Sequence, residues 1–202
     1  MQRILYNPQE LILASGSPRR RSFFQDLGLV FRVVAAAIEE KPQPAEKPVT
    51  YIERLAREKA ENVAEQFPDQ WIVAADTVVC CDESILEKPV DSEDALKMLM
   101  RLRGREHVVR SSVCLLHKRK SIIDGCSVAT RVKFWRFTED MARNYVQTGE
   151  PMDKAGSYGI QGQGAFLVRE IIGSYSNVVG MPLVECIEMF IRHGVLKDNV
   201  AE

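Results

Sequence analysis

A short apolar segment near the start of this chain runs directly into a turn of small residues, and this junction constrains the fold most. Residues 11–14 have the composition of a buried strand, and residues 15–17 break it. Ser17 is a favourable helix N-cap, and Pro18 suits the first helical position. The sequence therefore predicts a strand that is followed at once by a helix, as in α/β folds.

Two arginines, Arg19 and Arg20, occupy the first turn of this predicted helix. The helix dipole disfavours cations there, so their position is explained if an anion such as phosphate binds between them and the free N–H groups. A polar turn with solvated arginines explains the same residues equally well. Because the turn lacks the glycine spacing of a P-loop or a dinucleotide fingerprint, the local pattern leaves both interpretations open.

Composition limits the class of protein that this chain can form. Its 202 residues suffice for one sizeable domain or two intimate lobes, and 46% apolar with 27% charged residues is typical of a globular protein. The net charge of −1 does not indicate a nucleic-acid binder, so any anion site must be local. No apolar run approaches the roughly 18 residues of a membrane span, and residues 1–8 lack the apolar region of a signal peptide.

The cysteines indicate a reducing compartment. They are odd in number, form no C-x-x-C pair and lie mostly in apolar stretches, so we expect reduced core residues in a cytoplasmic protein. The histidines are scattered, which argues against a zinc site. The five cysteines are Cys80, Cys81, Cys114, Cys126 and Cys186.

Strand-like and helix-like segments alternate along the rest of the chain, and a long hairpin with the turn 118–121 adds antiparallel strands. The basic tip of that hairpin, Lys118-Arg119-Lys120, suits a solvated turn better than a nucleic-acid contact. We expect residues 197–202 to fray. Predicted strands cover 31–35, 71–75, 106–116, 122–137 and 165–172, and predicted helices cover 18–27, a segment from the capping-box pattern Thr50-x-x-Glu53, 92–102, 138–147 and 182–194.

Carboxylates follow two of the predicted strands. Asp76 stands at the end of the strand 71–75, and Glu39-Glu40 follows the strand 31–35. Ligands of open α/β sheets bind beyond the carboxyl ends of strands, where an Asp can act as a base and paired carboxylates can bind Mg²⁺ or Mn²⁺. A turn-capping Asp76 and a solvated acidic turn remain the alternatives.

Cations recur beside these breaks in the pattern. Lys59 lies on or near the apolar stripe of a predicted helix, Lys88 precedes Pro89, and Lys154 precedes a glycine loop. Each alone is more often a surface charge, but together with the two arginines they provide five positive charges. A triphosphate, with roughly four negative charges, needs several such donors and a divalent ion.

A glycine-rich segment at 156–164 allows a ligand to approach the backbone closely. Within it, Gln161 has an amide that both donates and accepts hydrogen bonds, which suits the edge of a nucleobase. Because an amide can flip, Gln161 alone does not determine which base is preferred. A flexible loop is the alternative interpretation.

Taken together, these residues closely resemble the Maf family of nucleoside triphosphate pyrophosphatases. The resemblance runs in order over about residues 10–190, and several of its motifs are long and specific to the family. The matching segments are 14–20 (Ala-Ser-Gly-Ser-Pro-Arg-Arg), 55–60 (Leu-Ala-Arg-Glu-Lys-Ala), 75–79 (Ala-Asp-Thr-Val-Val), 87–89 (Glu-Lys-Pro), 150–162 and 173–183 (Gly-Ser-Tyr-Ser-Asn-Val-Val-Gly-Met-Pro-Leu).

The resemblance implies a cytoplasmic, metal-dependent and often dimeric hydrolase that splits the α–β linkage of a nucleoside triphosphate into the monophosphate and pyrophosphate. It implies an α/β fold, a two-lobed single domain over 1–202 around a long mixed sheet, similar to inosine triphosphate pyrophosphatase. The Asp-Thr and Ile-Gln-Gly patterns are similar to the branch that acts on dTTP and UTP.

The resemblance also implies roles for individual residues. Asp76 would be the proton acceptor, and Glu40 and Asp76 would hold Mg²⁺ or Mn²⁺. Glu39 stands where the family commonly has Asp, which can alter the metal geometry. The phosphate-binding residues would be Ser15, Arg19, Arg20, Lys59, Lys88 and Lys154, and the specificity positions would be Arg19, Thr77 and Gln161.

Two alternatives stay open at this point. One is the sister branch of the family that acts on 7-methyl-GTP, against which Thr77 and Ile160-Gln161-Gly162 argue. The other is a non-catalytic regulator that binds nucleotides or nucleic acid, because Maf proteins are associated with inhibition of septum formation. A catalytic role is favoured by Asp76, since a carboxylate repels phosphate unless a metal intervenes.

Overall fold

The computed structural model describes residues 5–82 and 84–197. Residues 1–4 of the segment 1–8, for which we expect no signal peptide, lie outside the described residues, and so do residues 198–202 of the segment that is predicted to fray. Lys197 itself donates its backbone N–H to the carbonyl of Tyr6 at 2.9 Å. None of the described helices has the length and apolar character that crossing a membrane requires.

Helices and strands alternate as the sequence predicts, with three short 3₁₀ turns at 150–153, 155–157 and 162–167. The helices are α1 (Pro18–Asp26), α2 (Pro48–Ala64), α3 (Ser92–Leu102), α4 (Glu139–Gln147), α5 (Tyr175–Val179) and α6 (Leu183–Arg192). The strands are β1 (Leu11–Leu13), β2 (Phe31–Val33), β3 (Trp71–Cys81), β4 (Ser84–Leu86), β5 (Glu106–His117), β6 (Ile122–Phe134) and β7 (Val168–Ile172).

The strands form one mixed sheet in the order β2-β1-β3-β5-β6-β7, with β4 paired to β3. β1 lies parallel to both β2 and β3, so that Leu13 is opposite Val33 on one side and Val73 on the other. β4 pairs antiparallel with β3, and β7 pairs antiparallel with β6. The predicted α/β class and mixed sheet are confirmed, whereas the assignment of 1–202 to a single domain stays a prediction.

The chain divides into two compact units, and the first contains residues 1–76, 112–127 and 180–202. Its strand β1 is fully buried on both faces, as in parallel sheets that are covered by helices. Ile12 packs into one cluster with Ala56 and Ala60 of α2. Leu11 and Leu13 face the opposite side with Phe24 of α1 and Phe190 of α6, as the two-residue period of a strand requires.

The second unit contains residues 77–111 and 128–179. Its core joins α3 and α4 to an aromatic group in which Phe134 contacts both Tyr158 and Phe137 edge to face. His107 lies in the same group and shares a 2.7 Å hydrogen bond with the Tyr158 hydroxyl. Burial lowers the pKa of His107 to about 3, so this imidazole is neutral at physiological pH.

The local predictions at Thr50 and at Asp76 are wrong. The capping box at Thr50 does not begin a helix, because α2 starts earlier, at Pro48, whose fixed φ suits the first helical position. Asp76 does not end a strand, because β3 continues to Cys81 and its last residues pair with β4. Asp76 is nevertheless the third residue after Val73, so it lies beyond the end of neighbouring β1.

Several local signals are confirmed. Asp91 caps α3 by accepting a hydrogen bond from the Asp94 backbone N–H at 2.8 Å, and Thr138 caps α4 through the N–H of Met141. Gly28 and Gly104 follow helix ends with φ of 70° and 69°, a region that favours glycine. The hairpin of β5 and β6 forms around the predicted turn. Helix caps and glycines with positive φ could therefore be predicted, because each depends on only a few neighbouring residues.

We expect Asp91→Ala to lower the free energy of unfolding by about 1 kcal/mol, because the N–H at the start of α3 loses its acceptor. Asp91→Asn retains an acceptor and serves as the matched control. Urea denaturation of the three proteins measures the effect. Equal stability of Asp91→Ala and wild type would show that this cap does not stabilise the protein.

Candidate active site

The turn after β1 is held by Ser15 and Arg20. The buried Ser15 hydroxyl accepts hydrogen bonds from the backbone N–H of Ser17 and from Arg20 Nη1, both at 3.2 Å. The side chain of Ser17 makes no capping hydrogen bond, although its backbone occupies the N-cap position. The predicted strand, turn and helix are thus confirmed, and the turn is closed by Ser15 rather than by Ser17.

Arg20 links three separate segments of the first unit. Its Nη1 donates to the carbonyl oxygen of Ala75 at 2.8 Å, and its Nε donates to the carbonyl oxygen of Gly180 at 2.9 Å. Burial lowers the pKa of this guanidinium, and the nearby carboxylate of Asp76 opposes that shift. Because Ala75 directly precedes Asp76, Arg20 fixes the backbone from which Asp76 projects.

Lys59 brings two of the predicted carboxylates together. It lies on the apolar face of α2 and is only 8% exposed. Its ammonium contacts Asp76 Oδ1 at 2.6 Å and Glu40 Oε1 at 2.9 Å. Asp76 is also buried, whereas the Glu40 side chain is 44% exposed. Lys59, Asp76 and Glu40 form a cluster that we call the lysine–carboxylate cluster.

Glu39 does not belong to this cluster. Its side chain is exposed and forms an ion pair with Lys41. Glu40 is therefore the residue of the acidic pair that reaches Lys59. At position 39, where the family commonly has Asp, the Glu side chain pairs with Lys41.

Arg54 of α2 fastens the proline-rich segment that follows Glu40. Its guanidinium donates to both carboxylate oxygens of Glu46, each at 2.7 Å, and to the carbonyl oxygen of Lys41 at 3.0 Å. It also pairs with Glu58 one turn along the helix. A two-pronged arginine–carboxylate contact fixes orientation as well as distance, so Arg54 holds the segment next to Glu40 on α2.

The lysine–carboxylate cluster contains two side chains that could act as ligands of a divalent cation. Two carboxylates, those of Glu40 and Asp76, already meet at one cationic nitrogen. Oxygen ligands suit Mg²⁺ and Mn²⁺, and Mg²⁺ commonly takes one or two protein carboxylates together with waters and substrate phosphates. Among residues 5–82 and 84–197, no group of three or more His, Cys, Asp or Glu side chains is arranged to hold a metal.

Thr77 belongs to a hydroxyl network in the second unit. Its Oγ1 lies 2.8 Å from Ser111 Oγ, and the Ser111 hydroxyl donates to the Asn177 carbonyl at 3.0 Å. The buried Asn177 amide in turn donates to Thr130 Oγ1 at 2.9 Å. Asn177 is therefore linked to Thr77 through the Ser111 hydroxyl.

The predicted glycine segment of the second unit is ordered around a carboxylate. Glu150 accepts hydrogen bonds from the backbone N–H groups of Gln163 and Gly164, at 2.9 and 3.0 Å. Lys154 donates its ammonium to Asp153 Oδ1 at 2.6 Å and to the Glu150 carbonyl. The interpretation of this segment as a flexible loop is not supported, because its backbone is tied at several points.

Other predicted residues of the second unit lie at its surface. Gln161 and Lys88 are both exposed. The Glu87 carbonyl, next to Lys88, accepts a hydrogen bond from the Gly156 N–H at 3.0 Å, so the Lys88 segment is joined to the glycine segment. Their assignments as specificity and phosphate-binding residues stay predictions.

The basic hairpin tip of the first unit is neutralised locally. Lys118 pairs with Glu65, and Arg119 pairs with Asp69. Lys120 lies over the Trp71 ring, 5.0 Å from its centroid. Paired charges attract polyanions less strongly than free ones, so these contacts favour a solvated hairpin tip over a nucleic-acid contact.

Comparison with known proteins agrees with this arrangement of motifs. The family model described as Maf-like protein matches residues 10–193. The chain belongs to the Maf family. It is 52% identical over 186 residues to a protein of Desulfotalea psychrophila named dTTP/UTP pyrophosphatase, covering 92% of this chain and 95% of that protein. It is 46% identical over 190 residues to a protein of the same name from Escherichia coli O157:H7, covering 94% and 95%.

Solved structures similar to this Maf protein include a HAM1 protein from Coxiella burnetii. The TM-score is 0.48 at 15% sequence identity, and the match covers 79% of this chain and 80% of the HAM1 chain.

Three residues that order the backbone within their own units were not predicted from the sequence. Arg54, Tyr145 and Glu150 carry no distinctive local pattern, and each acts through partners that packing brings together. The signal available for Glu150 was its place beside the glycine segment, at the start of the family-like stretch 150–162. For Arg54, the spacing to Glu58 predicts a helix-surface pair and gives no indication of the Glu46 contact.

The Arg54–Glu46 contact generates a pH-dependent prediction. The hydrogen bond from Arg54 lowers the pKa of Glu46 to about 2. A carboxylate with a lowered pKa stabilises the fold above its unfolded pKa of about 4.3 and loses that contribution as pH falls towards its folded pKa. We therefore expect the stability difference between wild type and Glu46→Gln to shrink from about pH 5 to about pH 2.

Urea denaturation across that pH range tests this expectation. Arg54→Met removes the partner and should show the same reduced pH dependence as Glu46→Gln. A stability difference that stays constant over the whole range would contradict the assigned pairing.

Proposed function

We propose that this Maf protein is a nucleoside triphosphate pyrophosphatase that hydrolyses dTTP and UTP to the monophosphate and pyrophosphate. The observation that carries the proposal is the meeting of Asp76 and Glu40 at the buried Lys59 ammonium. Family membership supports it, and so do the names of relatives 52% and 46% identical to this chain. The proposed substrates also include modified pyrimidine nucleotides.

In the proposed mechanism Asp76 accepts the proton of the attacking water. The Lys59 ammonium lies 2.6 Å from Asp76 Oδ1 and so holds this carboxylate in place. Arg20 restrains the backbone at Ala75, so the carboxylate keeps its direction. The water attacks the α-phosphorus, and pyrophosphate departs as the leaving group.

Glu40 and Asp76 would hold Mg²⁺ or Mn²⁺. When bound, such an ion neutralises phosphate oxygens and stabilises the charge that develops on them. Glu40 suits this role because its side chain is half-exposed and still reaches the buried Lys59.

Cations of the chain would bind the substrate's phosphates. In the first unit these are Arg19, Arg20 and Lys59, with the Ser15 hydroxyl beside them, and in the second unit we assign Lys88 and Lys154 to the same role. Arginine and lysine both donate charge-assisted hydrogen bonds to phosphate oxygens. Each of these assignments follows from the family resemblance, and substitution of the residue tests it.

Base preference is assigned to Arg19, Thr77 and Gln161. An amide at Gln161 can pair with the O4 and N3–H edge of uracil or thymine, which presents one acceptor and one donor.

We also propose that the protein is cytoplasmic, which its five free thiols support. The family resemblance further implies a homodimer.

We expect Asp76→Asn to lower turnover of UTP at least about 100-fold, because the variant keeps the shape and loses the base. Lys59 retains its contact with Glu40 in this variant, so we expect a folded protein of lower stability. The assay quantifies both the monophosphate and pyrophosphate with Mg²⁺ and with Mn²⁺. Asp82→Asn, at an exposed carboxylate paired with Arg105, is the control; near-normal turnover of pure Asp76→Asn would refute the assignment.

A panel of ordinary and modified triphosphates tests the base preference. We expect UTP and dTTP to be preferred over GTP and 7-methyl-GTP in the wild type, and Gln161→Ala to reduce that preference. Gln163→Ala, in the same exposed segment, serves as the matched control. An unchanged ratio of UTP to GTP hydrolysis in Gln161→Ala would remove Gln161 from the base site.

A further inference from the structure

The backbone around Gln161 is fixed on both sides by two residues of the second unit. After Gln161, the Glu150 carboxylate accepts from the N–H of Gln163 through Oε2 and from the N–H of Gly164 through Oε1. Before it, the Tyr145 hydroxyl accepts from the N–H of Gly159 at 3.1 Å. Gln161 itself is exposed, so its side chain projects to solvent from a tethered segment.

Tyr145 and Glu150 are joined by a hydrogen bond and support the glycine segment together. The Tyr145 hydroxyl donates to Glu150 Oε1 at 2.9 Å while it accepts from Gly159. Tyr145 is 3% exposed and belongs to the core of the second unit. The hydrogen-bond chain therefore connects the glycine segment to packed side chains of the core.

The hydrogen bonds to Glu150 and Tyr145 require glycine at two positions of the segment. Gly162 has φ +70°, and a Cβ there would lie 2.7 Å from Glu150 Oε2. A Cβ at Gly164 would lie 2.5 Å from the Gly159 carbonyl oxygen, a backbone atom that cannot move aside cheaply. The glycines thus allow the backbone to close around the carboxylate and the phenol, and their presence does not indicate flexibility.

Glu150 is itself fixed and charged. Its backbone N–H donates to Thr148 Oγ1 at 3.2 Å, and its carbonyl accepts from Lys154. Burial raises the pKa of its carboxyl, but the N–H groups of Gln163 and Gly164 and the Tyr145 hydroxyl outweigh burial and lower it overall. An ionised carboxylate accepts from all three donors at once.

We infer that Glu150 and Tyr145 are positioning residues that hold residues 159–164 in one conformation and so set the direction of Gln161 and the nucleobase selectivity. This inference rests on the proposed function, in which Gln161 contacts the base. Neither side chain needs to touch the substrate. Their effect on selectivity passes through the backbone of the glycine segment.

Three variants separate this role from general stability. Glu150→Gln keeps the size of the side chain, but its amide NH₂ faces a donor and at least one hydrogen bond is lost. Tyr145→Phe removes both hydrogen bonds of the hydroxyl and keeps the ring in the core. Glu139→Gln, at an exposed α4 residue paired with Arg143, is the matched control.

The experiment combines amide hydrogen exchange with steady-state kinetics on UTP and GTP. We expect Glu150→Gln and Tyr145→Phe to exchange at least about tenfold faster at Gly159, Gln163 or Gly164, with the core amides of β5 unchanged. We also expect the UTP-to-GTP ratio of kcat/KM to fall at least about fivefold, chiefly through a higher KM for UTP. Glu139→Gln should match the wild type in both measurements.

Unchanged exchange at the glycine segment in both variants would overturn the inference, and so would faster exchange with an unchanged UTP-to-GTP ratio. If Glu150→Gln fails to fold, Tyr145→Phe decides by the same criteria. A wild-type protein that releases no pyrophosphate from any triphosphate would instead refute the proposed function. The exchange measurement then still decides whether Glu150 and Tyr145 hold the segment.

Discussion

A buried ammonium between two carboxylates is the interaction on which the site depends. Lys59 lies on the apolar face of α2, where a charge without partners would be strongly unfavourable. The carboxylates of Asp76 and Glu40 compensate this charge. The ammonium in turn keeps together two carboxylates that would otherwise repel each other. Removing one partner of a buried ion pair destabilises a protein by about 3–5 kcal/mol, so the fold depends on the same contact that assembles the carboxylates of the proposed site.

The surrounding arginines serve this cluster by fixing backbone. Arg20 donates to the carbonyls of Ala75 and Gly180, and Arg54 fastens the segment after Glu40 to α2. Carbonyl oxygens are fixed acceptors, so a guanidinium that bonds to them sets the course of the chain and not only a local charge. In the second unit Glu150 has the complementary role, because its carboxylate accepts hydrogen bonds from backbone N–H groups.

Much of the local structure could be predicted because its causes are local. The Asp91 and Thr138 caps, the glycines after helices, the strand–turn–helix at Ser15 and the burial of Lys59 all follow from residues within a turn or two. The errors arose where a neighbouring segment outside the recognised pattern decided the outcome. Strand β3 extends past Asp76 because β4 pairs with its end, and the apparent capping box at Thr50 is overridden by Pro48.

The sequence by itself determined the α/β class, the set of charged and glycine residues, and the family, because side-chain periodicity and motif order are properties of the chain. Only the tertiary structure decided which charges meet. Lys59 and Asp76 are 17 residues apart, and Arg20 reaches a carbonyl 160 residues away. Such contacts depend on how helices pack against the sheet, and no local preference specifies the partner of a side chain at that separation.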